Sequence, residues 1–224
     1  MTQPCSLCDT QAPQLFHEDI NRRYLLCRHC GLVFVPRADH LSLYGEKARY
    51  DQHHNDVHDP GYRRFLSRAL HPLQEQIPPP AHGLDFGCGP GPALALMCQE
   101  EGYTMAVYDP FYAPEVQTLQ RQYDFITCTE VVEHLRIPGQ SLSLIWSLLR
   151  PGGWVVCMTK LVQSQEAFSS WHYIRDETHI SFFSRTTFRW LAEKWQARLH
   201  FQGADVILLQ KPLSPSGSAG ILEP

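Results

Sequence analysis

No stretch of the 224-residue chain carries the roughly 20 consecutive apolar residues that a bilayer-spanning helix needs. No charged-then-apolar leader of the export type opens it, so the expected location is cytoplasmic, away from membranes. Positive charge is also in short supply: 19 Lys and Arg stand against 23 Asp and Glu, for a net charge of −4. No whole-molecule field then draws the protein to nucleic acid, which disfavours RNA without ruling it out. Arg22-Arg23 and Arg63-Arg64 with Arg68 are local basic points, read as solvated faces. No internal repeat is visible, and nothing in the residues bears on oligomeric state. What is present is an apolar fraction of 43% with 11% aromatics, enough for one sizeable α/β domain plus a small appended module.

Four of the eight cysteines stand at the front of the chain, in two pairs, Cys5-x-x-Cys8 and Cys27-x-x-Cys30. The interval from Cys8 to Cys27 fits a tetrahedral four-thiolate zinc site, closed to substrate and therefore structural. Iron held by the same thiolates is the alternative. Disulfides fit poorly, because no leader is present and Cys88, Cys98, Cys128 and Cys157 fall in apolar segments. The metal would hold together a ribbon with little core of its own. It does not choose among nucleic-acid binding, partner docking and pocket closure.

The most informative stretch is Leu84-Asp85-Phe86-Gly87-Cys88-Gly89-Pro90-Gly91, an apolar run ending in an acid and then three alternating glycines. Such a turn lets backbone approach a bound molecule closely, and the helix that follows offers unpaired N–H groups. Downstream, Thr104–Tyr108 reads as a strand ending at Asp109, whose distance along the chain from Gly91 is near that of a ribose-binding acid. Tyr123–Cys128 reads as a buried strand running on into Thr129-Glu130-Val131-Val132-Glu133-His134, and Leu148–Val156 as a helix end, a Pro-Gly-Gly turn and a strand. Asp85 beside the turn would repel a pyrophosphate but could pair with an ammonium group, which argues against a dinucleotide.

Taken together, residues 82–210 resemble the class I S-adenosylmethionine-dependent methyltransferases: a doubly wound, Rossmann-like α/β sheet, here with a small N-terminal zinc-ribbon module. The resemblance implies that Asp85, Gly87, Cys88, Gly89 and Gly91 surround the methionine end of the cofactor. It places Asp109 on the ribose, with Pro110 and Phe111 beside it, and Thr129 and Glu130 along the methyl channel. One departure is evident. The segment between Asp109 and Tyr123 is too short for the usual helix and further strand. The third strand is therefore expected to be missing or vestigial, with two helical turns at most in its place and adenine resting on Phe111 or Tyr112.

Acceptor chemistry is sought among the twelve histidines. His134 follows the strand nearest the methyl group, as general base or as a loop-ordering hydrogen bonder. Asp176-x-Thr178-His179-x-x-Phe182-Phe183-Ser184 resembles a segment that walls the acceptor pocket in bacterial members of the class, so His179 is a second candidate, structural or catalytic. His172, Tyr173 and Arg175, in an expected irregular loop, are candidates for touching the acceptor. Tyr44, Tyr50 and His54 belong to a segment that could lid the pocket. No Asp/Asn-Pro-Pro-Tyr/Phe follows the strand at 124–128, which disfavours methylation of planar amide or amino nitrogens. A small-molecule, possibly sugar-like acceptor methylated on O or C is the leading expectation. An RNA-modifying methyltransferase gripping its substrate through the ribbon, and a non-catalytic cofactor-binding scaffold, are the rivals.

The expected organisation is a zinc ribbon over residues 1–36, a helical lid and stiff Pro-rich linker over 37–80, the cofactor-binding domain over 81–211, and a disordered tail over 212–224. Expected strands lie near 83–86, 104–108, 124–128, 154–158, 198–202 and 205–210. Helices are expected near 92–101, 140–149 and 186–195, the last capped by Ser184.

Overall fold

A computed structural model describes residues 3–52 and 56–213. His53, His54 and the tail from 214 lie outside the described residues. The front of the chain forms β1 (Gln14–Glu18), β2 (Arg23–Leu26) and β3 (Val33–Phe34), joined antiparallel in that order. Two helices follow, α1 (Leu43–Tyr50) and α2 (Pro60–Gln76). The Asp59 carboxylate caps α2 by accepting from the Tyr62 N–H, and Pro60 sits in the first turn, where its missing donor costs nothing. Leu66, Ala69, Leu70 and Leu73, spaced three and four apart, give α2 one buried face.

The large sheet begins with β4 (His82–Phe86), α3 (Ala93–Glu100) and β5 (Thr104–Tyr108), and continues with β6 (Tyr123–Thr129), α4 (Pro138–Ser147) and β7 (Leu149–Met158). A short helix α5 (Gln165–Ser169) and a two-residue strand β8 (Ser181–Phe182) lead to α6 (Arg185–Trp195), β9 (Arg198–Gln202) and β10 (Val206–Gln210). Strand order is β5-β4-β6-β7-β10-β9, parallel through β7, with β10 antiparallel to both neighbours. The expected third strand is indeed missing among the described residues: β5 is the sheet edge, and a 3₁₀ turn at Val116–Gln120 occupies the short connection. Ser184 caps α6 as expected, with a reciprocal bond from its backbone N–H to the Thr187 hydroxyl.

Two boundaries differ from expectation. Helix α4 ends at Ser147, and β7 starts at Leu149 rather than near 154. Tyr123 pairs with Leu149 while Phe125 already pairs with Trp154, so Pro151-Gly152-Gly153 is a bulge within the strand. Gly152, at φ +80°, makes the reversal, and Lys211 closes it through Gly153.

Successive sheet residues face opposite layers. Phe125, Trp154, Val156 and Leu208 pack with α2 and α3, whereas Ile126, Val155, Cys157 and Ile207 pack with α4 and α6. The second layer also holds Cys5, Leu7, Cys27, Cys30, Leu32 and Phe34, so the cysteine-bearing sheet shares a core with the large one. Strand β8 joins that small sheet as a fourth strand, pairing Val33 with Phe182 and Phe34 with Ser181. Contact is close elsewhere too: a Cβ on Gly139, at the start of α4, would lie 2.5 Å from the Leu7 carbonyl oxygen. No helix among the described residues is long and apolar enough to cross a membrane.

The expectation of solvated arginines fails at Arg22, which is 7% exposed. Arg63 and Arg68 form ion pairs with Glu100 and Asp205.

Candidate active site

At the carboxyl ends of β4, β5 and β6 lies a cavity of about 660 Å³, a size usual for small-molecule sites. The turn after β4 forms its floor. Gly87 (φ +78°) and Gly89 (φ +64°) adopt backbone that side chains resist, and a Cβ on Gly87 would meet Val131 at 2.5 Å. Both the Gly87 and Cys88 N–H groups donate to the Tyr108 carbonyl, which holds the turn against β5.

Two carboxylates flank this turn. Asp85 is 3% exposed and accepts from the Thr127 hydroxyl at 2.7 Å; burial pushes its carboxyl up to about 6, with Asp109 adding to the effect and Thr127 opposing it. Asp109 accepts from the N–H groups of Phe111 (2.8 Å), Tyr112 (3.1 Å) and Gly89 (3.1 Å), fastening the glycine turn to the end of β5. Phe111 and Tyr112 follow it into the cavity wall, and Tyr50 packs against Phe111 with ring centroids 5.8 Å apart. Tyr50 belongs to α1, which is drawn over the cavity by Glu46: its carboxylate accepts from the Tyr50 hydroxyl and from Arg136 at 2.6 Å. Tyr44 is exposed.

At the far end stand the imidazoles of His134 and His179, ring centroids 4.7 Å apart. The His134 Nδ1 lies 3.1 Å from the Thr178 carbonyl oxygen and the His179 Nδ1 lies 2.7 Å from that of Tyr173. A carbonyl only accepts, so each Nδ1 carries the proton and each Nε2 has the lone pair in the neutral ring. Burial, with His134 adding to it, lowers the pKa of His179 and keeps that ring neutral. Behind them Glu133 is fully buried, its Oε1 accepting from the Tyr173 hydroxyl, and no partner for Oε2 exists among the described residues. Burial raises the Glu133 pKa, opposed by His179 and Tyr173. Ligand atoms of Glu133, His134 and His179 lie within 4.8 Å of one another, close enough to hold a cation. Glu130, at φ +53°, is pushed up to about 8 by burial and by Glu133, against the pull of Lys160.

The cavity lining brings together Asp85, Gly87, Cys88, Gly89, Gly91, Asp109, Pro110, Phe111, Thr129 and Glu130, along with His134 and His179. It leaves out His172, whose exposed ring lies 2.7 Å from the Lys160 Nζ, at the start of a 3₁₀ turn. Tyr173 is buried behind His179 instead of facing an acceptor. Tyr62 and Leu66 also line the cavity. They read in sequence only as apolar anchors, because nothing local shows that α2 folds back beside α3 and over β6, β7 and β10.

Cys5 and Cys30 place their sulfurs 3.6 Å apart, Cys8 and Cys27 theirs 3.5 Å apart, and all four lie within 4.8 Å of one another. A tetrahedron of Zn–S bonds of about 2.3 Å has edges of about 3.8 Å, so this donor set fits such an ion. The hydrogen bond from Cys30 pushes the Cys5 thiol down to about 5, while the same bond pushes the Cys30 thiol up and burial pushes Cys27 up to about 11, so a metal would have to displace the protons held on Cys27 and Cys30.

Residues 57–200 match the methyltransferase-domain family. The chain belongs to that family. Its likeness to ubiquinone biosynthesis O-methyltransferases is local: 31% identity over 77 residues to that of Serratia proteamaculans, covering 34% of this chain and 32% of the relative. The corresponding Aeromonas salmonicida enzyme is 32% identical over the same share of each chain. The chain thus spans about a third of the length of these curated relatives. Among solved structures, the methyltransferase fold is similar to Burkholderia thailandensis 1,6-didemethyltoxoflavin-N1-methyltransferase, solved with that acceptor and S-adenosylhomocysteine (TM-score 0.53, 16% identity, 89% of this chain and 99% of that one). A methyltransferase from Archaeoglobus fulgidus superposes equally well (TM-score 0.53, 18% identity, 66% and 94%).

Proposed function

We propose that the protein transfers a methyl group from S-adenosylmethionine to an oxygen or carbon nucleophile of a small molecule. One observation carries this reading: a glycine turn bracketed by two buried carboxylates, sharing a cavity with two imidazoles whose Nε2 atoms bear lone pairs. Asp85 would face the cofactor's ammonium group, directly or through water, and Asp109 the ribose hydroxyls. Phe111 and Tyr112 would flank the adenine. When bound, S-adenosylmethionine supplies an electrophilic methyl group on a positively charged sulfur.

The chain's own residues would align the acceptor and remove its proton. The Nε2 of His179 or His134 takes that proton, and Glu133 sits close enough to stabilise the imidazolium that results. Tyr50 and α1 cover the cavity and limit water, while in-line placement of the acceptor supplies much of the acceleration. The relatives' names favour a hydroxyl acceptor. Zn²⁺ on Cys5, Cys8, Cys27 and Cys30 would be structural, since four thiolates leave no open position.

Calorimetry with S-adenosylmethionine on wild type and Asp109→Ala tests the cofactor assignment; a weakened mutant supports it, and equal affinities remove Asp109 from the ribose site. Screening lysate metabolites and RNA with a labelled methyl donor identifies the acceptor class. Strongly salt-dependent labelling of RNA would favour the nucleic-acid reading. A cofactor complex that labels nothing would favour a scaffold.

A further inference from the structure

Arg22 lies in the turn between β1 and β2, at the opposite end of β2 from Cys27, yet its guanidinium is spent on a distant segment. Its two terminal nitrogens donate to the backbone carbonyls of Ile174 (2.7 Å), Asp176 (2.8 Å), Glu177 (3.0 Å) and His179 (3.0 Å). The remaining donor, Nε–H, reaches the Tyr24 hydroxyl at 2.9 Å, which in turn donates to Asp19. All five donors are thus used, four of them on carbonyls of one short segment. The same segment contributes Asp176 and His179 to the cavity wall. It also supplies the Thr178 carbonyl that accepts from His134. Its backbone carbonyls have no strand ladder to join, because β8 begins only at Ser181.

We propose that Arg22 is a positioning residue for methyl transfer: from the cysteine-bearing sheet, it gathers the carbonyls of Ile174, Asp176, Glu177 and His179 on one side so that the His179 and Asp176 side chains stand in the acceptor wall on the other. The proposal rests on the reading of that wall as the acceptor site. A planar fork of five donors can satisfy four divergent carbonyls at once, whereas the single ammonium of lysine cannot. Asp19 sets the fork's direction, because its carboxylate accepts from the Asn21 and Arg22 backbone N–H groups and from the Tyr24 hydroxyl. The small sheet would thereby shape the acceptor end of the cavity while leaving the glycine turn and Asp109 untouched.

The test compares wild type, Arg22→Lys and Arg22→Ala by amide hydrogen exchange, by imidazole NMR of His179 and by calorimetry with S-adenosylhomocysteine. In Arg22→Lys, exchange over 174–180 should rise about tenfold and the His179 ring signals should move, while β4 and β6 stay protected. Affinity for S-adenosylhomocysteine should remain within about twofold of wild type. Guanidinium ion added at low millimolar concentration should restore the His179 signals in Arg22→Ala. If Arg22 variants do not fold, Asp19→Ala should give a smaller change of the same sign confined to 174–180. Unchanged exchange over 174–180, or exchange raised equally in β4 and β6, would overturn the proposal. A wild type that does not bind S-adenosylhomocysteine would overturn it through the cofactor reading, a failure told apart by the exchange difference persisting.

Discussion

The Thr127 hydroxyl donates to the Asp85 carboxylate at 2.7 Å, beneath the glycine turn and out of reach of solvent. Burial holds that carboxyl at about 6, above its ordinary value of 3.8. A cationic ligand group pairs with the ionised form, so affinity for S-adenosylmethionine should rise as pH passes upward through about 6 and then level off. Calorimetry from pH 5 to 7.5 checks this, and Asp85→Asn should bind more weakly with a flat profile.

Glu130 makes the opposite kind of statement, about stability. Its carboxyl is at about 8 in the folded protein against an ordinary 4.5, so the native state holds its proton more tightly than the unfolded chain. The stabilisation tied to that proton is complete below about pH 4.5 and is lost as pH rises through about 8. Glu130→Gln should therefore melt higher than wild type at pH 8, with the difference shrinking towards pH 4.5. Thermal melts across that range decide it.

His134 and His179 should divide their effects from those of the cofactor residues. Replacing either with alanine is expected to lower kcat by roughly 10²–10⁴-fold, if it is the base, with little change in cofactor affinity. His172→Ala, outside the cavity, should leave both unchanged. Steady-state rates on the identified acceptor are the measurement.

Cys27→Ser should remove about one zinc per chain by metal analysis. Because Cys5, Cys27 and Cys30 share a core with α4 and α6, the loss should also lower the melting temperature of the whole protein. Metal-free protein with an unchanged melt would refute the zinc assignment.

Ser184→Ala deletes the cap of α6 and a bond to the Gly31 carbonyl. It should cost about 1–2 kcal/mol, read as a lower melting temperature.

Much of the half that carries the glycine turn was legible in sequence because its signals are local. Leu84-Asp85-Phe86 followed by alternating glycines contains its own strand, turn and helix start, and the stretch from Asp109 to Tyr123 is visibly too short for another strand. The end of the cavity around His134 and His179 was less legible. Glu133, Tyr173 and His179 meet only through tertiary folding, sealed by the Ile180 N–H donating to the Glu133 carbonyl. Arg22 was misread for the same reason: a short turn with two arginines looks solvated until a remote part of the chain, from Ile174 onward, closes over it. Boundary errors at β7 arose because Pro-Gly-Gly signals a turn whether it ends a strand or bulges within one.

The most direct test of the whole account is a crystal structure with S-adenosylhomocysteine. Ribose hydroxyls on the Asp109 carboxylate, the amino-acid end against the turn from Gly87 to Gly91, and the sulfur facing the two imidazoles are the predicted result. A ligand bound elsewhere, or a cavity that takes a dinucleotide instead, would contradict it.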